Sequence, residues 1–192
     1  MNSDAGFLEE VKKRKDVRSK KFIFVPFCLI CQAFQARYIV NRYPAVIAPI
    51  VKDLIDQDVN IIQMPCPESQ FGGYKKGLSR DPKGYRQYNI PEFKDLCRKL
   101  SEQVADQVEG LVANGYQVVA IMGIEYSPSC AVNYQYGRMR GTVHQIGLFI
   151  EAIMDRLKEK NISIQFVGIN RRNAEKDRDA MRNLLGSQLP LL

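Results

Sequence analysis

Three cysteines of this 192-residue chain each follow a predicted strand. Cys28 comes directly after KFIFVPF, Cys66 after DVNIIQMP, and Cys130 after QVVAIMGIE and a short YSPS turn. Because ligands of parallel α/β sheets bind outside the carboxyl ends of the strands, we expect the three thiols to meet in one site. Thiolates bind soft metal centres, so such a site suits zinc or an iron–sulfur cluster with one coordination position left open. Nearby backbone amides would also lower the thiol pKa values.

Polar side chains beside these cysteines could carry acid–base chemistry. Glu68, two residues after Cys66, is a candidate general base or acid, and Ser127 and Ser129 offer hydroxyls beside Cys130. Structural roles are the alternative, since a glutamate can cap a helix or loop and serines commonly shape turns.

A second interpretation uses Cys28 together with Cys31. They form a C-x-x-C directly after a strand, which is the context of a thioredoxin-like redox pair. That interpretation leaves Cys66 and Cys130 unexplained, and a thioredoxin-like fold would need antiparallel strands late in the chain. Cys97 lies within a predicted helix and suits a packed core position.

The single histidine, His144, offers little support for hydrolytic chemistry. It falls within a predicted apolar helix, where we expect a packed or surface residue rather than a ligand. A Ser-His-Asp arrangement would also need a nucleophile elbow, for which the sequence gives no evidence.

Strands and helices that alternate along the chain must position these residues. Apolar runs predict strands at 22–27, 58–65, 117–125 and 162–169, and helical spacing predicts helices at 45–56, 91–112, 143–158 and 173–185. This order indicates a three-layer, Rossmann-like or flavodoxin-like parallel sheet with helices on both faces. Asn170, Arg171 and Arg172 would then lie at the same edge as the cysteines.

Two segments stand apart from this alternation. Residues 1–20 form a charged N-terminal appendage with a basic helix over 7–20, which leaves 21–192 as a single α/β domain. Residues 69–90 combine glycines with tyrosines, lysines and arginines, and we expect a long loop that is either a lid over the site or a mobile segment.

Composition excludes some classes of protein. No apolar run approaches the roughly 18 residues of a membrane span, and the charged N-terminus does not read as a secretory signal, so we expect a cytoplasmic protein. Five cysteines are an odd number for a disulfide framework. The net charge of +7 favours anionic partners only weakly, and nucleic acid is not the expected partner. The sequence gives no indication of oligomeric state.

The segments VPFCLICQ, MPCPESQFGG, GIEYSPSC and GLFIE, within residues 21–170, resemble the thiouracil desulfidase family and in particular a divergent branch related to it. The resemblance implies a 4Fe-4S cluster held by Cys28, Cys66 and Cys130. It implies that an iron without a protein ligand takes the sulfur of a small thiolated substrate, a thio-nucleobase or nucleotide, and that water replaces this sulfur on the substrate carbon.

A nearby carboxylate could activate this water, and Glu68 is the candidate for that role. Ser127 could orient or protonate the substrate, and Glu151 could support the site from the next helix. The chain departs from the family at Cys31, where glycine is usual, and in the longer spacing to Arg37-Tyr38. A thiol redox protein using Cys28 and Cys31, a zinc-stabilised binding module and a nucleic-acid binder remain alternatives.

Overall fold

The computed structural model describes residues 3–137 and 141–187. The strands in chain order are β1 (Lys21–Pro26), β2 (Asn60–Met64), β3 (Gln117–Ile124), β4 (Tyr134–Tyr136), β5 (Thr142–His144) and β6 (Phe166–Ile169). The helices are α1 (Ser3–Lys12), α2 (Phe27–Ile30), α3 (Ala48–Asp56), α4 (Pro67–Gln70), α5 (Tyr74–Gly77), α6 (Tyr85–Tyr88), α7 (Pro91–Ala113), α8 (Leu148–Glu159) and α9 (Ala174–Ser187), with a 3-10 turn at Gln32–Phe34.

Four parallel strands form the central sheet in the order β2-β1-β3-β6. The chain passes from β1 to β2 on one side and then returns to place β3 on the other side of β1. The strand order therefore reverses between β1 and β3, as it does in flavodoxin-like sheets. Ligands of open α/β sheets bind at such a switch point, so the crevice beyond β1 and β3 is where a site is expected.

Helices cover both faces of the sheet, which confirms the predicted α/β fold. On one face Phe24 and Ile121 pack against α7 and α8, and on the other face Ile23 and Met122 pack against α3 and α9. Every residue of β3 after Gln117 is buried, as expected for a strand with a helical layer on each side. Burial of each large side chain contributes about 1.5–3 kcal/mol to this core.

Helices α3 and α9, which lie on the same face of the sheet, are joined through a buried carboxylate. Asp53 of α3 accepts hydrogen bonds from Arg178 Nε at 2.8 Å and Nη2 at 2.9 Å, and from Arg182 Nη2 at 2.8 Å. The Asp53 side chain is only 1% exposed. Hydrogen bonding to Arg178 is the main cause that lowers the Asp53 pKa.

The structure corrects several predicted boundaries. The N-terminal helix ends at Lys12 rather than at residue 20, and the final strand begins at Phe166 rather than at 162. The helix predicted over 143–158 is wrong in its first turn, because α8 begins at Leu148. Residues 188–192 of the predicted 21–192 domain lie outside the described residues.

A short hairpin takes the place of that first helical turn. Strands β4 and β5 pair in antiparallel register from Tyr134 with His144 to Tyr136 with Thr142. His144 is therefore an exposed strand residue, not a helical one, and its ring contacts the edge of Tyr134. The prediction of a continuous loop over residues 69–90 is also wrong. The short helices α5 and α6 lie within this segment, and α4 ends at its start.

Within the described residues, no helix is long and apolar enough to cross a membrane.

Candidate functional site

The three cysteines lie at the carboxyl edge of the central sheet. Cys28 is in the first turn of α2 directly after β1, Cys66 immediately precedes α4 after β2, and Cys130 is in the turn after β3. Ionisation of the Cys66 thiol acts electrostatically on Cys28, and both thiols act on Cys130. The three cysteines thus lie at one edge of the sheet beside the switch point, near enough for their thiolates to interact electrostatically.

Their protonation differs from the sequence-based expectation of low pKa values. Burial is the largest cause that raises the pKa of Cys28, Cys66 and Cys130, and the neighbouring thiols of the set raise the pKa of Cys28 and Cys130 further. A hydrogen bond from Ser69 opposes this rise at Cys66. The helices α2 and α4 have four residues each, too few for amide dipoles to offset the loss of water.

Glu68 connects the loop after β2 to the loop after β3. Its Oε1 accepts hydrogen bonds from Ser129 Oγ at 2.6 Å and from Ser127 Oγ at 3.1 Å. Ser127 Oγ also accepts the backbone N–H of Cys130 at 3.1 Å, and Ser129 Oγ lies 3.4 Å from Cys130 Sγ. The structure therefore places all three predicted polar residues in one network with a proposed ligand.

The same contacts test the purely structural roles that were considered for Glu68 and the serines. Ser127 does shape the turn before Cys130, as the alternative interpretation held. Glu68 is not a helix cap, since its carboxylate oxygens receive serine hydroxyls and a guanidinium instead of backbone N–H groups.

Arg80 completes the network, although sequence reasoning had placed it only among several cations of the 69–90 segment. Its Nη2 donates to Glu68 Oε2 at 3.4 Å and to the Phe34 carbonyl at 2.8 Å, and its Nη1 donates to the Gly77 carbonyl at 2.9 Å. The side chains of Arg80 and Glu68 are only 10% and 12% exposed. Arg80 Nε is buried without a hydrogen-bond partner among the described residues. Arg80 thus joins the segment to the site.

Close packing of the site turns depends on glycine. A Cβ at Gly123 of β3 would lie 2.1 Å from the Cys130 carbonyl oxygen, and a Cβ at Gly147 would lie 2.5 Å from the Ser129 carbonyl carbon. At Gly77 a Cβ would lie 1.8 Å from the Ser69 carbonyl oxygen. Each of these glycines lets a neighbouring backbone approach closely and so fixes the turns that hold the cysteines.

A cavity of about 160 Å³ adjoins Glu68 and Ser127. Two of its walls are Tyr126 and Tyr136, whose rings stack with centroids 4.5 Å apart. Tyr126 has a φ of 65°, a backbone conformation that residues other than glycine rarely adopt. Such conformations are often found at functional sites. The site therefore has a small aromatic-walled cavity beside its acid–base network.

The arginines that follow β6 line the same cavity, at the sheet edge where their position in the sequence predicted them. Arg171 and Arg172 both line it, whereas the side chain of Asn170 accepts the Arg172 backbone N–H at 3.1 Å. Arg171 Nη1 donates to Gln35 Oε1 at 2.9 Å. Burial lowers the Arg171 pKa, and the Cys28 thiolate opposes that change.

Among the described residues, no hydrogen bond joins the remaining predicted candidates to the Glu68 network. Glu151 is exposed on a surface groove beside Lys94 and Arg98, so the support expected from it is wrong. Cys31 ends α2 with its backbone N–H bonded to the Phe27 carbonyl. Cys97 packs in the core, and burial raises its pKa to about 12.

The donor set limits which metal centre would fit. In the described part of the chain no three His, Cys, Asp or Glu side chains converge closely enough to hold one metal ion. A cluster distributes its ligands over several irons, so its cysteines need not meet around a single ion. Cys28, Cys66 and Cys130 supply sulfur alone from three separate turns, while Glu68 is occupied by serines and Arg80. Three thiols from separate turns are the type of ligand set that a cluster uses when one of its irons has no protein ligand.

Comparison with known proteins finds distant homology to an uncharacterized protein of the archaeon Methanocaldococcus jannaschii. The two are 28% identical over 116 residues, which cover 58% of this chain and 71% of that protein. No family model and no solved structure matches the chain. The resemblance to desulfidases therefore rests on the cysteine motifs themselves.

Proposed function

We propose that this chain is an iron–sulfur-dependent desulfidase that removes sulfur from a small thiolated compound. Cys28, Cys66 and Cys130 would hold a 4Fe-4S cluster at the carboxyl edge of the sheet. The observation that carries the proposal is the position of the three cysteines at one edge of the sheet, where Glu68 joins the turns of Cys66 and Cys130 beside one cavity.

The residues of the chain divide the chemistry among them. When bound, the cluster supplies an iron that has no protein ligand and can act as a Lewis acid toward sulfur. Glu68 is placed to take a proton from water, because Ser127 and Ser129 hold its Oε1 and Arg80 holds its Oε2. The serine hydroxyls can return a proton to the substrate.

The net reaction is a hydrolysis. The water oxygen forms a bond to the substrate carbon, the carbon–sulfur bond breaks, and sulfur leaves as hydrogen sulfide with both water protons. Carbon keeps its oxidation state, so the reaction consumes no external oxidant or reductant.

Three alternatives receive less support from the geometry. A redox pair at Cys28 and Cys31 needs an activated thiol of low pKa, whereas the Cys28 pKa is raised. A zinc-stabilised module needs ligands around one ion, and the described residues offer no such group. A nucleic-acid binder would use phosphate contacts that need no cysteine.

Iron and acid-labile sulfide measured after anaerobic reconstitution test the proposal. We expect about four of each per chain, lost in Cys66→Ser but kept in Cys31→Ser and Cys97→Ser. Release of hydrogen sulfide from 2-thiouracil is then measured with the loaded protein.

Each outcome separates the alternatives. A cluster that forms equally well in Cys66→Ser, or no cluster in any variant, contradicts the proposed ligand set. Zinc in place of iron supports the binding module. Activity that is lost in Cys31→Ser while Cys66→Ser stays active supports the redox pair instead.

A further inference from the structure

More cationic than acidic side chains line the cavity beside Glu68. Its cationic side chains are Lys83, Arg171 and Arg172, against Glu68 and Glu125. Two acids facing three cations would leave little excess charge if the groups paired with one another. The hydrogen bonds show that they do not.

Both carboxylates of the cavity are already partnered. Glu68 binds Arg80 and the two serines. Glu125 is 7% exposed, and it accepts hydrogen bonds from the backbone N–H groups of Asn133 at 3.2 Å and Tyr134 at 2.9 Å and from Asn133 Nδ2 at 2.8 Å. Among the described residues, neither acid forms an ion pair with the cations after β6.

Arg171 is the cation best placed to bind a ligand. It is half-buried on the cavity wall, and its one hydrogen bond to a side chain goes to the neutral amide of Gln35. Among the described residues it has no carboxylate within ion-pair distance. A guanidinium presents a planar fork of N–H donors that matches an anion with two oxygens.

The size of the cavity limits what this anion belongs to. Sites for drug-sized ligands usually enclose about 300–1,000 Å³, whereas a cavity of about 150 Å³ holds one benzene-sized ring. At about 160 Å³ the enclosed part of the cavity has room for a single ring, so a ribose and a phosphate would lie outside it. The stacked pair Tyr126 and Tyr136 supplies an aromatic wall for a planar ring.

We propose that the substrate is a single planar thiolated ring that carries a carboxylate, with this carboxylate bound by Arg171 and the thiolated carbon facing Glu68. This inference rests on the desulfidase activity proposed above. It narrows the substrate class to small heterocyclic carboxylates and disfavours nucleotides. Arg172 and Lys83, which are exposed at the cavity, would attract such anions from solvent.

Desulfidation by the reconstituted protein tests the carboxylate directly. The probes are 2-thiouracil and its 5-carboxy and 6-carboxy derivatives, with 4-thiouridine 5′-monophosphate as the phosphate probe. We expect kcat/KM for one carboxylated ring to exceed that for 2-thiouracil by about tenfold or more, as for a charge-assisted hydrogen bond. This ratio should fall toward one in Arg171→Gln, recover in part in Arg171→Lys, and stay at the parental value in Arg98→Gln.

Binding without sulfur chemistry separates this inference from the proposed function. Calorimetry with uracil and its two carboxylated forms should show an Arg171-dependent gain for a carboxylated ring, with or without the cluster. That gain without any desulfidation would leave the carboxylate site standing and overturn the desulfidase. Turnover of 2-thiouracil with no preference for either carboxylated ring, or a preference for the phosphate probe, would overturn the carboxylate site alone.

Discussion

Replacing Glu68 by glutamine would remove one charge from the centre of the network while keeping the length of the side chain. The amide oxygen can still accept the hydroxyls of Ser127 and Ser129, which now donate to Oε1. The amide nitrogen would then face the Arg80 guanidinium, donor against donor, where Oε2 now accepts Nη2. The substitution therefore removes both the base and the anionic partner of a buried cation.

The two effects have different magnitudes. Breaking a buried ion pair costs about 3–5 kcal/mol when the remaining charge has no partner. Arg80 keeps the carbonyls of Phe34 and Gly77, so we expect a loss nearer about 2 kcal/mol. For a chain of this size that loss lowers the melting temperature by about 4–8 °C. Loss of a general base lowers kcat by about 10²–10⁴-fold.

Thermal unfolding of the cluster-free protein and turnover of the reconstituted protein measure the two effects separately. Glu92→Gln is the matched control, because Glu92 is exposed in the first turn of α7, where loss of its charge costs at most about 1 kcal/mol and should leave kcat unchanged. Iron content must equal that of the parent in both variants. Near-parental kcat in a fully loaded Glu68→Gln protein would refute the role assigned to this carboxylate.

Two further substitutions test the packing on which the site depends. Gly123→Ala should cost about 1–3 kcal/mol of stability and lower iron retention, because its Cβ would meet the Cys130 carbonyl, whereas Gly110→Ala meets nothing within 4 Å and should leave both unchanged or slightly improved. Asp53→Asn should lose about 3 kcal/mol at pH 7 in urea unfolding. Since Arg178 lowers the folded pKa of Asp53 below its ordinary 3.8, this contribution is complete above that pH and disappears as the pH falls through the folded value, so parent and variant should converge in acid.

Local sequence was enough to predict the main sheet and the positions of the cysteines. β3 is recognisable because a strand covered on both faces is an unbroken apolar run. Cys28, Cys66 and Cys130 follow their strands within a few residues, so their shared edge depends only on the strands being parallel. Glu68 was found for the same reason, because it lies two residues from Cys66.

The hairpin could not be found by the same reasoning. Strands β4 and β5 have three residues each, too short for a periodic pattern, and Val143 fits the apolar spacing of the helix that follows. Their pairing joins residues that are six to ten positions apart, from Tyr136 with Thr142 to Tyr134 with His144. Arg80 was missed for a related cause, since its contact with Glu68 spans twelve residues and nothing local distinguishes it from the other cations of the 69–90 segment.

The electrostatics of the three thiols favour a ligand set over a redox pair. A redox cysteine needs one thiolate stabilised in the free protein, usually by a helix terminus or a cation. Here burial, Cys66 and Glu68 raise the pKa of Cys28 more than Arg171 and Arg80 lower it. Burial and the other two cysteines likewise raise the pKa of Cys130. Three thiolates in such a space become favourable only when a positive centre lies among them, which is what an iron cluster provides. The burial and mutual proximity that make these cysteines poor nucleophiles are therefore consistent with a role as cluster ligands.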